Sequence, residues 1–168
     1  MIGTLIEIAR LSNGRQAPDT QPSKLERIVG DVVIQCNPFA VAANRPIELA
    51  AFTVDVATDA RLCSAAVKGL LLYAIKHGTG DRTAIDVHRR GRSIRLDIAY
   101  DGPPPDAALA KQAFIQLAPV AGAPSVPPRP MQGIGLALAP QLCACLGLGF
   151  EHGRSRSRSH RLSLVFRR

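Results

Sequence analysis

The chain has 168 residues, and 46% of them are hydrophobic, which is enough to build the core of one compact domain. No apolar run reaches the roughly 18 uncharged residues that a bilayer span requires, so the sequence predicts a cytoplasmic protein without a membrane segment. The formal net charge is +8, but six arginines lie between positions 153 and 168, and no aromatic residue alternates with them in "GRSRSRSHR". This distribution disfavours nucleic-acid binding, because single-stranded binding sites stack bases on aromatic side chains.

The first half of the chain alternates between helical and strand patterns. Residues 2–12 carry a helical apolar stripe that Gly14 and two prolines interrupt. Ser23 is expected to cap a second helix, "KLERIVGDVVIQCNPF". "IELAAFTVD" is rich in β-forming residues and predicts one strand, after which Thr58 and Asp59 are candidate caps for a long helix that ends near His77.

The second half begins with the clearest local signal in the sequence. Apolar residues alternate on both sides of Arg90-Gly91, which predicts a β-hairpin with one apolar and one polar face. Residues 102–132 are rich in proline and are expected to form a lid, although a long Pro-rich loop such as 118–132 is typical of either a lid or a disordered segment. "GIGLALAPQLCACLG" predicts a helix that begins at a glycine pair, and "LGFEH" and "HRLSLVFR" predict two closing strands. The order of elements predicts a two-layer α/β sandwich, a mixed and mainly antiparallel sheet with helices on one face.

The four cysteines show neither a C-x-x-C pair nor the histidine spacing of a zinc site. The sequence therefore predicts no metal site. Reduced and mostly buried thiols are expected at Cys36, Cys63, Cys143 and Cys145.

Three separated segments resemble the motifs of one protein family. They are "AIKHG" at a helix end, "YDGPPP" at a strand end and "RPMQGIGLALA" at the start of the last helix. In order and spacing they resemble the ATP-binding domain of bacterial sensor histidine kinases, which belongs to the kinase–ATPase superfamily and has the Bergerat fold. The resemblance implies that residues 1–22 are the tail of a dimerisation and phosphoacceptor helix with a linker, and that residues 23–168 are the ATP-binding domain.

The resemblance also implies a pocket for ATP or ADP. Asp101 would accept a hydrogen bond from the adenine amino group, and Gly102 would let the backbone approach the base. Lys76 would place a cation near the phosphates, with His77 against the base or ribose. The remaining implied contacts come from the lid and from the N–H groups that begin the last helix: Arg129, Gln132, Gly133, Gly135 and Leu136.

Tyr73 departs from the family pattern at an important position. It stands where the family has the asparagine whose side-chain oxygen binds Mg²⁺, and Gly69 replaces an earlier asparagine. Magnesium prefers compact oxygen ligands in octahedral geometry, and a neutral phenol is a poor substitute. We therefore expect Tyr73 to line the pocket and to weaken or alter the use of Mg²⁺.

The sequence leaves more than one function open. The first hypothesis is the ATP-binding catalytic domain of a two-component sensor kinase, with weakened or altered nucleotide use. The alternative is a pseudo-ATPase module that binds a response regulator, a phosphoacceptor domain or a kinase partner, and a kinase related to the anti-sigma-factor kinases ranks lower. No phosphoacceptor segment of the H-E-x-x-T-P type is present, so autophosphorylation within this chain is not expected. A homodimer through the N-terminal helix is the expected assembly.

Overall fold

The computed structural model describes residues 17–104, 141–154 and 159–167. In chain order the helices and strands are β1 (Gln21–Lys24), α1 (Leu25–Ala42), β2 (Ile47–Leu49), β3 (Asp55–Thr58), α2 (Ala60–His77), β4 (Thr83–Arg90), β5 (Ser93–Tyr100), β6 (Gly149–Arg154) and β7 (His160–Arg167). Residues 141–146 are also helical and lie within the last predicted helix. None of the helices in these ranges combines the length and apolarity that crossing a membrane requires.

The architecture is a mixed α/β fold built on one five-stranded sheet in the order β2-β4-β5-β7-β6. The edge strand β2 is parallel to β4, and the other neighbours are antiparallel. Strands β1 and β3 form a separate antiparallel pair. Buried side chains of α1, α2 and the sheet form a hydrophobic core. The predicted α/β class with a mixed, mainly antiparallel sheet is thus confirmed.

The β4–β5 hairpin forms as the alternating pattern predicts. Its turn residues are Gly91 and Arg92, because Arg90 pairs with Ser93. Gly91 has a φ of +56°, a conformation that glycine adopts without the steric cost that a side chain would add. Since side chains alternate between the faces of a strand, the even-numbered residues of β5 face the helices and the odd-numbered ones face away. The two predicted closing strands are also present as β6 and β7.

The expected cap at Ser23 and the expected single strand at 47–55 are both wrong. Ser23 lies in β1, opposite Val56 of β3, and its hydroxyl donates to the carbonyl of Gln21. Pairing with β3 holds Ser23 in extended backbone, so Lys24 takes the N-cap position without a side-chain capping bond. The segment 47–55 divides between β2, which pairs with β4, and β3, which pairs with β1. Strand β1 also crosses the predicted boundary at residue 22, and that boundary stays a prediction.

The buried thiols agree with the sequence prediction. Cys36, Cys63 and Cys143 are buried free thiols, and Cys145 is partly exposed. Burial raises the pKa of both Cys63 and Cys143 to about 12. Thiols in this state carry almost no thiolate at neutral pH and are therefore poor nucleophiles and poor metal ligands.

Asp59, one of the two candidate caps in the sequence, is the N-cap of α2, and it also ties the preceding chain to the helix. One oxygen of its carboxylate accepts hydrogen bonds from the backbone N–H groups of Arg61 and Leu62. The other accepts from the N–H of Asp19, at 2.9 Å. Asp59 therefore satisfies two free donors of the helix and holds the segment that precedes β1.

We predict that Asp59→Ala lowers the free energy of unfolding by about 1–3 kcal/mol, because the helix loses its cap and the Asp19 N–H loses its acceptor. Urea denaturation followed by circular dichroism measures the change. The control is Asp55→Ala, which removes an exposed carboxylate from β3. Equal stability of the two variants would contradict the capping role.

Candidate functional site

The end of α2 and the end of β5 meet in a backbone junction. The N–H of Thr79 donates to the carbonyl oxygen of Asp101 at 2.7 Å, and the N–H of Gly80 donates to the same oxygen at 3.4 Å. Thr79 and Gly80 directly follow the segment "AIKHG", and Asp101 lies within "YDG", so the contact joins two segments that the sequence singled out. The fold thus brings together two of the three predicted motif segments.

Gly102 packs directly against the last turn of α2. Its φ is +153°, which L side chains rarely adopt. A Cβ atom at this position would lie 2.7 Å from the carbonyl oxygen of His77 and 3.3 Å from the Cα of Gly78. Glycine is therefore required here by the protein's own backbone. The close approach seen in the structure is to α2, and an approach to a base stays a prediction.

The Asp101 carboxylate lies on the exposed side of this junction. Its Oδ1 accepts a hydrogen bond from the hydroxyl of Ser159 at 2.6 Å. Within the described residues no group donates to its Oδ2, although a Cβ added to Gly80 would come within 2.8 Å of that atom. One carboxylate oxygen thus has an acceptor position that a ligand amino group could use.

Tyr73 is buried in a row of four rings. Only 6% of its surface is exposed. Its ring centroid lies 4.4 Å from that of His77 and 6.2 Å from that of Tyr100, and Tyr100 lies 5.8 Å from His160. The Tyr100 hydroxyl donates to the carbonyl of Pro103 at 3.2 Å. Tyr73 is therefore packed as a core aromatic at the helix end that the sequence assigned to the pocket.

Burial sets the ionisation of this ring row. It raises the pKa of Tyr100 above its usual value, and Tyr73 raises that pKa further by charge repulsion and by a side-chain hydrogen bond. Burial also lowers the pKa of His77, and the neighbouring charge of Lys76 lowers it again. The His77 Nε2 is buried and has no hydrogen-bond partner in the described part of the chain. The side chains of Tyr100 and His77 are therefore both held neutral near pH 7.

Arg45 holds the loop that leaves α2 and was missed by the sequence analysis. Its Nη1 donates to the carbonyl of Ile75 at 2.6 Å, and its Nε donates to the carbonyl of Gly80 at 3.1 Å. A cation at the C-terminus of a helix is favourable because the free carbonyls carry partial negative charge. No local pattern reveals this role, because Arg45 lies 30 residues before Ile75.

The remaining residues of the predicted site divide between Lys76, which the structure describes, and residues outside the described ranges. Lys76 is exposed beside His77 in the last turn of α2. Lid residues and helix-start residues lie outside the described ranges, so their convergence on Asp101 stays a prediction: Arg129, Gln132, Gly133, Gly135 and Leu136. Ser159, Tyr100 and His160 were also missed, although the alternation in β5 places Tyr100 on the helix face.

Three solved structures illustrate what this fold is similar to. The histidine kinase AdeS of Acinetobacter baumannii matches with a TM-score of 0.68 at 13% identity, over 99% of this chain and 76% of AdeS. The catalytic domain of the histidine kinase ThkA matches with a TM-score of 0.65 at 15% identity, over 89% of this chain and 97% of that domain. Full-length ShkA in complex with AMPPNP matches with a TM-score of 0.71 at 17% identity, over 96% of this chain and 34% of ShkA.

Comparisons of sequence add no relative to these structural ones. No model of a protein family matches the chain, and a search of curated proteins found no match. At identities of 13–17% the structural likeness establishes the fold. The chain therefore has the fold of histidine kinase catalytic domains, as the motifs had indicated.

We predict that Gly102→Ala destabilises the protein by about 2 kcal/mol, because the added methyl group meets the His77 carbonyl and the φ is unfavourable. Chemical denaturation provides the measurement. Gly30→Ala is the matched control, since Gly30 lies inside α1 with nothing within 4 Å of the added Cβ. That substitution should be neutral or stabilising, and a similar loss in both variants would rule out the junction as the cause.

We predict that acidification weakens the fold partly through His77. Its pKa is lower in the folded protein than the ordinary value of 6.5, so the unfolded chain binds the proton more readily. This contribution to stability is complete above pH 6.5 and is lost as the pH falls through the folded pKa. His77→Gln should flatten the dependence of the free energy of unfolding on pH in that acid range. His152→Gln, at an exposed histidine of β6, is the control, and parallel curves for wild type and His77→Gln would refute the prediction.

Proposed function

We propose that this chain is the ATP-binding catalytic domain of a two-component sensor histidine kinase, with weakened or altered use of nucleotide and Mg²⁺. The observation that carries the proposal is the junction between α2 and β5. At this junction the Asp101 Oδ2 has no donor among the described residues, and the exposed Lys76 lies in the last turn of α2. The fold match to ShkA, solved with the ATP analogue AMPPNP, supports a nucleotide as the ligand.

The residues at the junction suit the base and the phosphates of a nucleotide. Asp101 would accept a hydrogen bond from an exocyclic amino group, while its other oxygen keeps the bond from Ser159 that fixes the carboxylate. Lys76 is an exposed cation for a phosphate group. The lid and helix-start residues that the resemblance implies, Arg129 and Gly133 among them, would complete the phosphate contacts.

Magnesium fits this site poorly. Tyr73 is buried against His77 and Tyr100, and its phenol is not a compact oxygen ligand of the kind that Mg²⁺ prefers. Among the described residues no group of three or more carboxylate, histidine or cysteine side chains is arranged to hold a metal ion. We therefore assign no step to a metal and infer that nucleotide binding depends on base and phosphate contacts.

A second function is favoured by the same ring row. The chain is alternatively a pseudo-ATPase module that binds a response regulator, a phosphoacceptor domain or a kinase partner. Tyr73 and His77 are packed 4.4 Å apart, and the Asp101 Oδ1 is already bonded within the protein. These contacts would stabilise the domain without nucleotide. In either case we propose a bacterial cytoplasmic protein that dimerises through residues 1–22.

We predict that Tyr73→Asn increases the affinity for ADP with Mg²⁺ by at least about tenfold, which equals about 1.4 kcal/mol. The amide oxygen replaces a ring that crowds the metal position. Isothermal titration calorimetry measures affinity, and the rise in Tm with ligand gives a second measure. Each variant is compared with its own ligand-free Tm, because loss of the buried ring itself destabilises by about 3 kcal/mol.

Two controls separate the functions. Asp101→Asn should abolish any ligand-dependent rise in Tm, whereas Asp86→Asn, which removes a carboxylate from β4, should leave it unchanged. No response to ADP or ATP by the wild type or Tyr73→Asn, with and without Mg²⁺, would refute the kinase proposal and leave the binding module.

A further inference from the structure

Three exposed arginines lie together at the end of the sheet opposite to the proposed nucleotide site. Arg90 ends β4, Arg92 lies in the turn and Arg167 ends β7. We call this set the arginine end. In the sequence, most of the positive charge lies in the last residues of the chain. The fold places Arg90 and Arg92 of the β4–β5 hairpin beside Arg167 from that segment.

The strand register places these side chains side by side. Ser93 pairs with Arg90 on one side and with Arg167 on the other. Cross-strand partners share a face, so Arg90 and Arg167 flank Ser93 on the face turned away from the helices, on strands about 10 Å apart. Arg92 is adjacent in the turn. From Ser93 to Asp101 the distance along β5 is about 27 Å, which separates this end from the nucleotide site.

No described acidic side chain neutralises the arginine end. Within residues 17–104, 141–154 and 159–167, the three side chains make no hydrogen bond and no ion pair. On the same face Asp97 and Glu151 both pair with Arg95, at 2.9 Å. Asp86 lies opposite Asp97, two cross-strand rows away from Ser93. The cluster thus keeps its full positive charge in solvent.

The chemistry of the cluster favours phosphate groups on a flat surface. Guanidinium groups bind phosphate through paired N–H donors. The cluster has no aromatic side chain for base stacking. Because β5 is paired on both sides as far as Ser93, only the two-residue turn projects beyond the sheet. This projection is too small to fill the major groove of duplex DNA, which argues against a DNA ligand.

No exposed large hydrophobic residue of the described chain lies at the arginine end, which argues against a protein partner. The exposed large hydrophobic residues of the described chain are Ile34, Phe39, Val41 and Leu49, on α1 and β2. None belongs to the arginine end, whereas protein interfaces have an apolar core within a polar rim. A surface of charge alone suits the headgroup layer of an anionic membrane.

We propose that the arginine end binds anionic phospholipid headgroups and so places the domain on a membrane surface. Binding is electrostatic, without insertion, and it weakens as salt screens the charges. It uses a different end of the sheet from the nucleotide site, so it does not depend on nucleotide binding.

The test is sedimentation of the full chain with vesicles. We expect binding to vesicles that mix phosphatidylcholine with phosphatidylglycerol, and no binding to phosphatidylcholine alone. The triple variant Arg90→Gln, Arg92→Gln, Arg167→Gln should bind about a hundredfold more weakly, since each arginine contributes about fivefold. Its Tm should equal that of the wild type, because these side chains have no partner to lose among the described residues.

The matched control removes the same charge elsewhere: Lys24→Gln, Arg27→Gln, Arg154→Gln. It should bind vesicles within about threefold of the wild type, allowing for long-range charge alone. Equal losses in both triple variants would overturn the proposal in favour of net charge. Failure of the wild type to bind anionic vesicles at low salt would also overturn it. So would wild-type binding to duplex DNA that is tighter than binding to anionic vesicles and is lost in the variant of the arginine end.

Discussion

The site depends on one constraint, the shared backbone junction between the end of α2 and the end of β5. The Asp101 carbonyl receives N–H groups from Thr79 and Gly80, and Gly102 lies against the His77 carbonyl in a space that excludes a Cβ. Because the contacts join backbone atoms, they fix the positions of both chain segments, and position 102 must be glycine for the two backbones to approach this closely. The Asp101 carboxylate is thereby presented beside the last turn of α2.

Aromatic packing organises the interior of this junction. Tyr73, His77, Tyr100 and His160 pack in a row of tilted and edge-to-face ring contacts, which stabilises the fold through buried ring surface. The protein therefore combines the fold of histidine kinase catalytic domains with a candidate site whose interior is packed with aromatic rings. Whether this site binds nucleotide is what distinguishes the two proposed functions.

The outer face of the sheet shows how this fold carries charge without losing stability. Asp97 is buried there, and it accepts hydrogen bonds from Arg95 and from the hydroxyl of Ser163. Arg95 also pairs with Glu151, so the network joins β5, β6 and β7. A buried carboxylate is stable only when its oxygens are satisfied in this way. With these charges paired, the uncompensated arginines remain at the hairpin end.

The sequence by itself determined the features whose causes lie within a few residues. Alternating apolar residues specified the β4–β5 hairpin, and Asp59 was one of two candidate caps because a capping side chain bonds N–H groups only two and three residues later. Motif order also identified the fold and indicated that Asp101 and His77 share a site. The tertiary structure alone decided that Ser23 joins β1 and that Ser159 holds the Asp101 carboxylate. The reason is physical: such contacts join residues as many as 58 positions apart, and only the paired strands bring them within hydrogen-bonding distance.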